Sequence, residues 1–376
     1  MSSVASVISL TGVDVVWPDG TPALSGLDLL VGAGRSALVG VNGSGKSTLL
    51  RVVAGELAPT AGVVDVTGRV GHLPQNLTLR TDQPVLDFLG VEEEWMALRE
   101  LDRLGLPESA LARTMGELSG GEVTQLGLVR LLLDEPDVLL LDEPTNNLDR
   151  PARERLYYFL GSWRGTLLVV THDRELLERV DRIGDLREGG VRWYGGGYTS
   201  YVEQVETEQA AAEQALTTAR SDLRRQQADR IDAERVLAKR RKYGAKMEAT
   251  KREPKIVMGA RKRAAQVSAA KYRHLHDERL DAARERVEEA AARVREDRRI
   301  RVDLPETEVF RGQQVLTTRD LGLRTGSAVD LQVAGPERIA VTGRNGSGKT
   351  TLLHTLVGRV EPQAGSAEVH VPAALL

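Results

Sequence analysis

Ala37-Leu38-Val39-Gly40-Val41-Asn42-Gly43-Ser44-Gly45-Lys46-Ser47-Thr48 is the stretch on which the reading of the whole chain turns. Its three apolar residues read as a short strand, and a helical pattern from Thr48 to Ala54 follows the glycine-rich turn. The pattern G-x-x-x-x-G-K-S between a strand and a helix is a phosphate-cradling loop. Glycines let successive backbone N–H groups curl around an anion, and the helix that starts there points its positive end at the same place. Lys46 would reach the β- and γ-phosphates of a nucleotide, and Ser47 would ligate Mg²⁺. Gly40, Asn42, Gly43, Gly45 and Thr48 complete the cradle. The context makes this a nucleotide site.

Upstream of the loop, Val7 to Trp17 and Leu24 to Val31 alternate apolar and polar residues and read as strands. Trp17, on the first of these and followed by Pro18-Asp19-Gly20, offers its indole to a base or packs in a hairpin; the residues leave both readings open. Downstream, Val70 to Gln75 reads as a short strand ending in glutamine, and Val85 to Leu104 as a helix. Leu118-Ser119-Gly120-Gly121-Glu122 then opens another helix, Val123 to Leu133. Ser-Gly-Gly at a helix start binds an anion or simply caps the helix. In Val138-Leu139-Leu140-Leu141-Asp142-Glu143-Pro144-Thr145 a buried parallel strand delivers two carboxylates to its carboxyl end, where α/β folds keep their ligands. Asp142 would hold Mg²⁺ through oxygen, and Glu143 would orient or deprotonate a water. Asn146-Asn147-Leu148-Asp149 follows, and a strand from Thr166 to Val170 ends in Thr171-His172-Asp173. A strand-end histidine such as His172 is by itself as well explained by a hydrogen bond as by catalysis.

The chain has 376 residues, room for two or three domains, with 41% hydrophobic and 28% charged residues. No apolar run approaches the roughly 18–20 residues of a membrane helix, so no membrane insertion is expected. No basic-then-apolar signal segment opens the chain. The absence of cysteine excludes disulfides and thiolate metal sites and fits a cytoplasmic location.

The net charge of −3 averages over segments of opposite character. From about Tyr198 to Arg301 the chain is rich in Ala, Glu, Arg, Gln and Leu, a composition of long helices. Leu216 and Leu223 are seven residues apart, as are Leu280, Val287 and Val294, which suits two helices packed along a narrow seam. Gly244, Pro254 and Gly259 interrupt the pattern, so an antiparallel hairpin is expected, its first helix of about 45 residues spanning roughly 65 Å. Between Arg235 and Arg273 fourteen Lys and Arg stand against Glu248 and Glu253, a net of +12 in 39 residues. Such a density repels itself without a polyanion nearby, which points to nucleic acid. Tyr243 and Tyr272 could add stacking.

Gly343-Arg344-Asn345-Gly346-Ser347-Gly348-Lys349-Thr350-Thr351 repeats the first loop 303 residues later. Arg338 to Val341 is expected to supply the preceding strand. Gly343, Asn345, Gly346, Gly348, Lys349, Thr350 and Thr351 form a second candidate cradle, with Thr350 as its Mg²⁺ ligand. At that offset Leu376 corresponds to Leu73, so the second copy stops short of counterparts to Gln75, Ser119, Asp142 and His172. No aromatic residue follows Phe310, which deprives the second loop of an aromatic base platform.

The ordered set GVNGSGKST, Gln75, LSGGE, LLLDEP, NNLD and THD resembles the nucleotide-binding domain of ATP-binding cassette proteins, over residues 4 to about 200. Two such cassettes joined by a basic helical hairpin resemble the ABC-F family of translation-associated ATPases, antibiotic-resistance members included. The resemblance implies an α/β P-loop fold binding ATP and Mg²⁺. Residues 1–203 would form a first cassette, 204–303 the hairpin with its tip at about 243–262, and 304–376 the incomplete start of a second cassette. It further implies that Glu143 is the catalytic base and that Gln75 contacts Mg²⁺ or the attacking water. His172 would sense the γ-phosphate, Ser119, Gly120 and Gly121 would clamp the γ-phosphate of a facing domain, Asp149 would bridge the two domains, and Trp17 would stack on adenine. Asn147 departs from the family's usual histidine. The implied partner is the ribosome, its rRNA and tRNA met by residues 235–273. Alternatives are the ATPase subunit of an exporter with a separate membrane partner and a DNA-associated ATPase. Neither composite ATP site is complete within this chain, so slow turnover is expected unless two first cassettes pair as a homodimer. Val357, Val360 and Val371 are expected to be exposed and to favour aggregation.

Overall fold

A computed structural model describes residues 7–77, 80–91, 93–187, 190–249, 255–294, 309–324, 326, 328–343 and 347–375. It divides into two compact units, Met1–Tyr201 with Asp303–Leu376, and Val202–Val302.

In the first unit the alternating stretches form β1 (Val7–Val16) and β2 (Pro22–Val31). The strand β3 (Gly34–Val39) runs through the glycine turn into α1 (Lys46–Val53), and β4 (Ala61–Thr67) returns beside β1. The strands β2, β1 and β4 make an antiparallel sheet in that order. There follow β5 (Val70–Leu73), α2 (Val85–Leu89), α3 (Glu94–Leu104) and α4 (Gly120–Leu133). Then come β6 (Val138–Asp142), α5 (Arg150–Gly161), β7 (Thr166–Val170), α6 (Arg174–Leu177), β8 (Arg182–Arg187) and β9 (Gly190–Gly195). A second sheet has the order β5-β6-β7-β3-β8-β9, parallel from β5 through β8. Both loop-bearing strands, β3 and β6, therefore lie inside a parallel sheet, and their carboxyl ends open on the same edge.

Every residue of β6 and of β7 is buried, which is why both read as unbroken apolar runs. Side chains alternate across the sheet. Val138, Leu140, Leu168 and Val170 pack with Leu49 and Leu50 of α1 in one core. Leu139, Leu141, Leu167 and Val169 pack with Leu126 and Leu128 of α4 in the other. Each fully buried leucine contributes about 1.5–3 kcal/mol of transfer free energy, so the sheet is the rigid part on which the loops rest.

The single helix expected from Val85 to Leu104 is two helices. Gly90, at φ 68°, ends α2 in the left-handed conformation, and its N–H donates to Leu86 O. The helix expected from Val123 starts at Gly120, because Ser119 caps it.

The second unit is an antiparallel pair, α7 (Tyr198–Ala249) and α8 (Lys255–Arg293). Ala233 and Leu237 are buried on one helix, and Leu280, Ala283 and Ala290 on the other. Leu216, Leu223, Val287 and Val294 are half-buried along the expected seam. Arg230 pairs with Asp277 at 3.0 Å and Arg286 with Asp222 at 3.0 Å, which fixes the antiparallel register. Gly244 and Gly259 do not break the helices, and α7 has 52 residues, not about 45. A glycine costs a helix only about 1 kcal/mol, which its strong helix-forming neighbours absorb. Residues 250–254, with Lys251, Arg252 and Pro254 of the expected tip, lie outside the described residues.

After the hairpin come β10 (Gln314–Gly322), β11 (Ala328–Val329), β12 (Gln332–Ala334), α9 (Lys349–Leu356) and β13 (Ala364–Val369). The β1–β4 pairing recurs: Ile8 faces Val66, and Leu316 faces Val369. The core here is small, centred on Leu321, Leu323 and Leu352. The expected strand from Arg338 to Val341 is irregular, with Ile339 54% and Val341 42% exposed. The physical reason is that no strand among the described residues pairs with it. In the first copy β3 is held between β7 and β8, and the corresponding positions fall past residue 376. Val357, Val360 and Val371 are half-buried, not exposed as expected; among the described residues of this segment the exposed large apolar side chains are Phe310, Ile339, Val341, Leu353 and Val369.

Candidate nucleotide site

The glycine turn between β3 and α1 is built as its sequence demands. Gly43 and Gly45 have φ of 83° and 90°. A Cβ at Gly45 would lie 2.5 Å from Ala23 O, so glycine is required there both for the backbone and for space. Lys46, only 8% exposed, curls back over the turn and donates from Nζ to Gly40 O at 2.8 Å and Val41 O at 2.9 Å. Burial pushes its ammonium below the ordinary lysine range, while Glu143, Asp142 and Asp185 pull it back up. Ser44 Oγ is buried in the turn with no hydrogen-bond partner. An orphaned hydroxyl and a cation beside the start of α1 are the donor set that phosphate oxygens would satisfy. Ser47 on the first turn of α1 is exposed and Thr48 half-buried; Asn42 is exposed at the rim.

Asp142, 5% exposed, ends β6, and Glu143 leaves the sheet with φ 49°, a left-handed conformation rare for a non-glycine residue. The N–H of Glu143 donates to Val170 O at 2.8 Å. Its carboxylate lies beside His172: Nε2 is 3.5 Å from Oε1, and the His172 N–H donates to Oε2 at 3.4 Å. Burial raises the Glu143 carboxyl above the usual carboxylate range, against the pull of His172 and Lys46. A half-buried carboxylate with a raised pKa beside a histidine is a group equipped to accept a proton.

Gln75 and Gly120 line one cleft of about 170 Å³ with Asp142, Glu143, Asn146 and Asn147. The glutamine, the carboxylates and the start of α4 thus meet in one place. At that start Ser119 and Glu122 form a capping box: Ser119 N–H and Oγ donate to Glu122 Oε2 at 2.8 and 2.7 Å, and Glu122 N–H donates back at 3.3 Å. Gly121 is buried, while Gly120 is exposed. Asp149 caps α5 by accepting Ala152 N–H at 3.1 Å. Trp17 stands just past β1 in the hairpin turn rather than on the strand, half-buried, its backbone N–H donating to Thr21 O at 2.9 Å.

Asp185 was not singled out by sequence. It is a buried carboxylate on β8 that acts on Lys46 and receives the hydroxyl of Tyr201, near the start of α7, at 3.4 Å. The only signal was a charge inside the short apolar run Ile183 to Leu186.

The described ends of the second turn match those of the first. Gly343 and Gly348 have φ of 155° and 90°, against 158° and 90° at Gly40 and Gly45, and Lys349 Nζ donates to Gly343 O at 2.7 Å. Lys349, Thr350 and Thr351 open α9. Asn345 and Gly346 lie outside the described residues.

A family model described as ABC transporter matches residues 24–146 and 327–373, the surroundings of both turns. The tylosin resistance ATP-binding protein TlrC of Streptomyces fradiae is 32% identical over 98% of this chain and 75% of its own length. The probable ATP-binding protein YbiT of Escherichia coli O157:H7 is 29% identical over 90% of this chain and 66% of its length. The energy-dependent translational throttle protein EttA of Haemophilus influenzae is 28% identical over 88% and 62%. Among solved structures, the bacterial ABC transporter cassette MJ0796 is 26% identical, covering 50% of this chain and 98% of that one with a TM-score of 0.47. This chain spans between 62% and 75% of the lengths of these three relatives. No helix among the described residues is long and apolar enough to cross a membrane. The motifs in their order, the two turns and the relatives give one result: the chain belongs to the ABC-F family of ATP-binding cassette proteins.

Proposed function

We propose that this chain hydrolyses ATP at the first turn and acts on the ribosome through the basic hairpin, in antibiotic resistance or as a translation factor. What supports the ribosomal part is the net charge of +12 between Arg235 and Arg273 in a sequence whose described residues there belong to α7 and α8. The names of TlrC and EttA tie those proteins to tylosin resistance and to translation, and the reading extends that association to this chain. Its division would be a first cassette at 1–203, the hairpin at 204–303 and part of a second cassette at 304–376.

In this reading Lys46 and the turn amides hold the phosphates, and Ser47, Asp142 and Gln75 supply oxygen ligands suited to Mg²⁺. Glu143 takes a proton from the attacking water, and its raised pKa suits that task. His172, set against Glu143, answers to the γ-phosphate. Ser119, Gly120 and Gly121 face the nucleotide of an apposed cassette, with Asp149 between the two. Two copies of the first cassette would complete each other's sites. Trp17 supplies the base platform at the end of β1.

Sedimentation with ribosomes tests the reading. Glu143→Gln in the presence of ATP should co-sediment, and salt should release it. Absence of binding in that trapped state would overturn the ribosomal part. Deleting residues 235–273 should abolish ribosome binding, whereas an exporter subunit would keep its activity without them.

A further inference from the structure

Asp173 stands one residue past His172, and distant parts of the fold converge on it. Its Oδ1 accepts the N–H groups of Glu175 at 2.9 Å and Leu176 at 3.2 Å, which caps α6. Its Oδ2 accepts the hydroxyl of Tyr157 at 2.6 Å, and the guanidinium of Arg153 lies 3.8 Å away. Its own N–H donates to Thr171 Oγ1 at 3.1 Å. The carboxylate side chain is 10% exposed and Tyr157 is 4% exposed. Capping α6 uses only Oδ1. The other oxygen is committed to α5.

Arg153 and Tyr157 are four residues apart on α5 and so share a face. Arg153 also reaches back along the chain, donating from Nε to Leu148 O at 3.2 Å, just ahead of the Asp149 cap. One side chain therefore touches both the segment that follows Glu143 and the carboxylate that follows His172. Burial, and then the bond to Asp173, pushes the Tyr157 phenol far above its ordinary range, so the hydroxyl remains a donor.

We propose that Tyr157 and Arg153 are positioning residues for the reaction at the first turn: by holding Asp173 they set His172 against Glu143 and tie it to Leu148 and Asp149. The inference rests on the ATPase reading above. A domain bearing on residues 146–149 would displace Leu148 O, and through Arg153 and Asp173 would shift the imidazole without touching it.

Tyr157→Phe keeps the ring, its burial and the Arg179 guanidinium stacked 4.8 Å from its centroid, and removes only the donor. Loss of a hydrogen bond to a charged group should lower kcat about tenfold. KM for ATP should stay within about twofold, because no phosphate-binding group changes. Amide exchange over residues 172–176 of the full chain should accelerate by a similar factor. Arg153→Met should do the same, and Arg153→Lys should recover part of the loss. Wild-type kcat in Tyr157→Phe, a parallel rise in KM, or unchanged exchange over 172–176 would each overturn the proposal. If the wild-type chain shows no turnover at any concentration, the ATPase reading fails, and the exchange measurement alone still decides the positioning role.

Discussion

At the scale of single residues the site is a set of burials opposed by charges. Glu143 has a carboxyl raised mainly by burial, and the sign of that shift has two consequences. A group whose folded pKa exceeds its unfolded value favours the folded state while protonated and loses that contribution as pH rises through the folded pKa. Glu143→Gln, without nucleotide, should therefore raise Tm at pH 7, and the difference should shrink as pH falls through the raised Glu143 pKa and vanish below the ordinary carboxylate range. A thermal-melt series from pH 7 to about 4 checks this; an equal or lower Tm at pH 7 would contradict it. Wild-type ATPase activity should likewise fall on acidification before an ordinary carboxylate would titrate, because a protonated Glu143 cannot take a proton. Gly45→Ala should cost about 1–3 kcal/mol, since φ of 90° and a Cβ 2.5 Å from Ala23 O cannot both be accommodated. Denaturant unfolding followed by nucleotide titration would show both the loss and the weakened binding.

At the scale of elements, legibility followed the strength of the local pattern. β6 and β7 were visible because full burial on both faces leaves nothing but apolar residues from Val138 to Leu141 and from Leu167 to Val170. The turn before α1 was visible because its glycines are dictated by backbone geometry. In contrast, β4 was missed: its Ala61–Thr67 residues are exposed or half-buried, so no clean alternation marks them. The strands β8 and β9 were hidden by charges such as Asp185 and Arg192, whose placement depends on tertiary neighbours. Gly244 misled because a local penalty of about 1 kcal/mol is small beside a seam of buried side chains. That seam predicts unequal costs. Leu280→Ala, at a side chain 3% exposed, should destabilise the hairpin by about 2–5 kcal/mol. Arg286→Ala, whose own side chain is 57% exposed in its pair with Asp222, should cost at most about 1 kcal/mol. Helical circular dichroism against denaturant would separate the two; equal effects would argue against a packed seam.

At the scale of the whole molecule, completeness of the site was the part that sequence could describe only by subtraction. The cleft gathers Gln75, Asp142, Glu143 and Gly120 from one cassette, yet a signature from a facing cassette cannot be seen in a single chain. Turnover per chain should therefore rise with protein concentration if two first cassettes pair; a rate unaffected by dilution would exclude pairing as a requirement. Binding to ribosomes should weaken about a thousandfold between 50 and 200 mM salt if about six of the basic hairpin residues meet phosphates, and a flat salt response would remove the electrostatic basis of the proposal.

The second glycine turn carries a consequence for how the chain acquires its structure. Gly348 and α9 reproduce the φ of 90° and the eight-residue length of Gly45 and α1, although the stretch before them, Arg338 to Val341, is irregular. The entry into the helix is thus specified by nearest neighbours and does not wait for the sheet. Contacts between residues close in sequence form ahead of those that must close long loops. Each anion cradle should accordingly be an early structure in folding, with parallel pairing of β3 to β7, more than a hundred residues away, as the slow step that later gives it a floor.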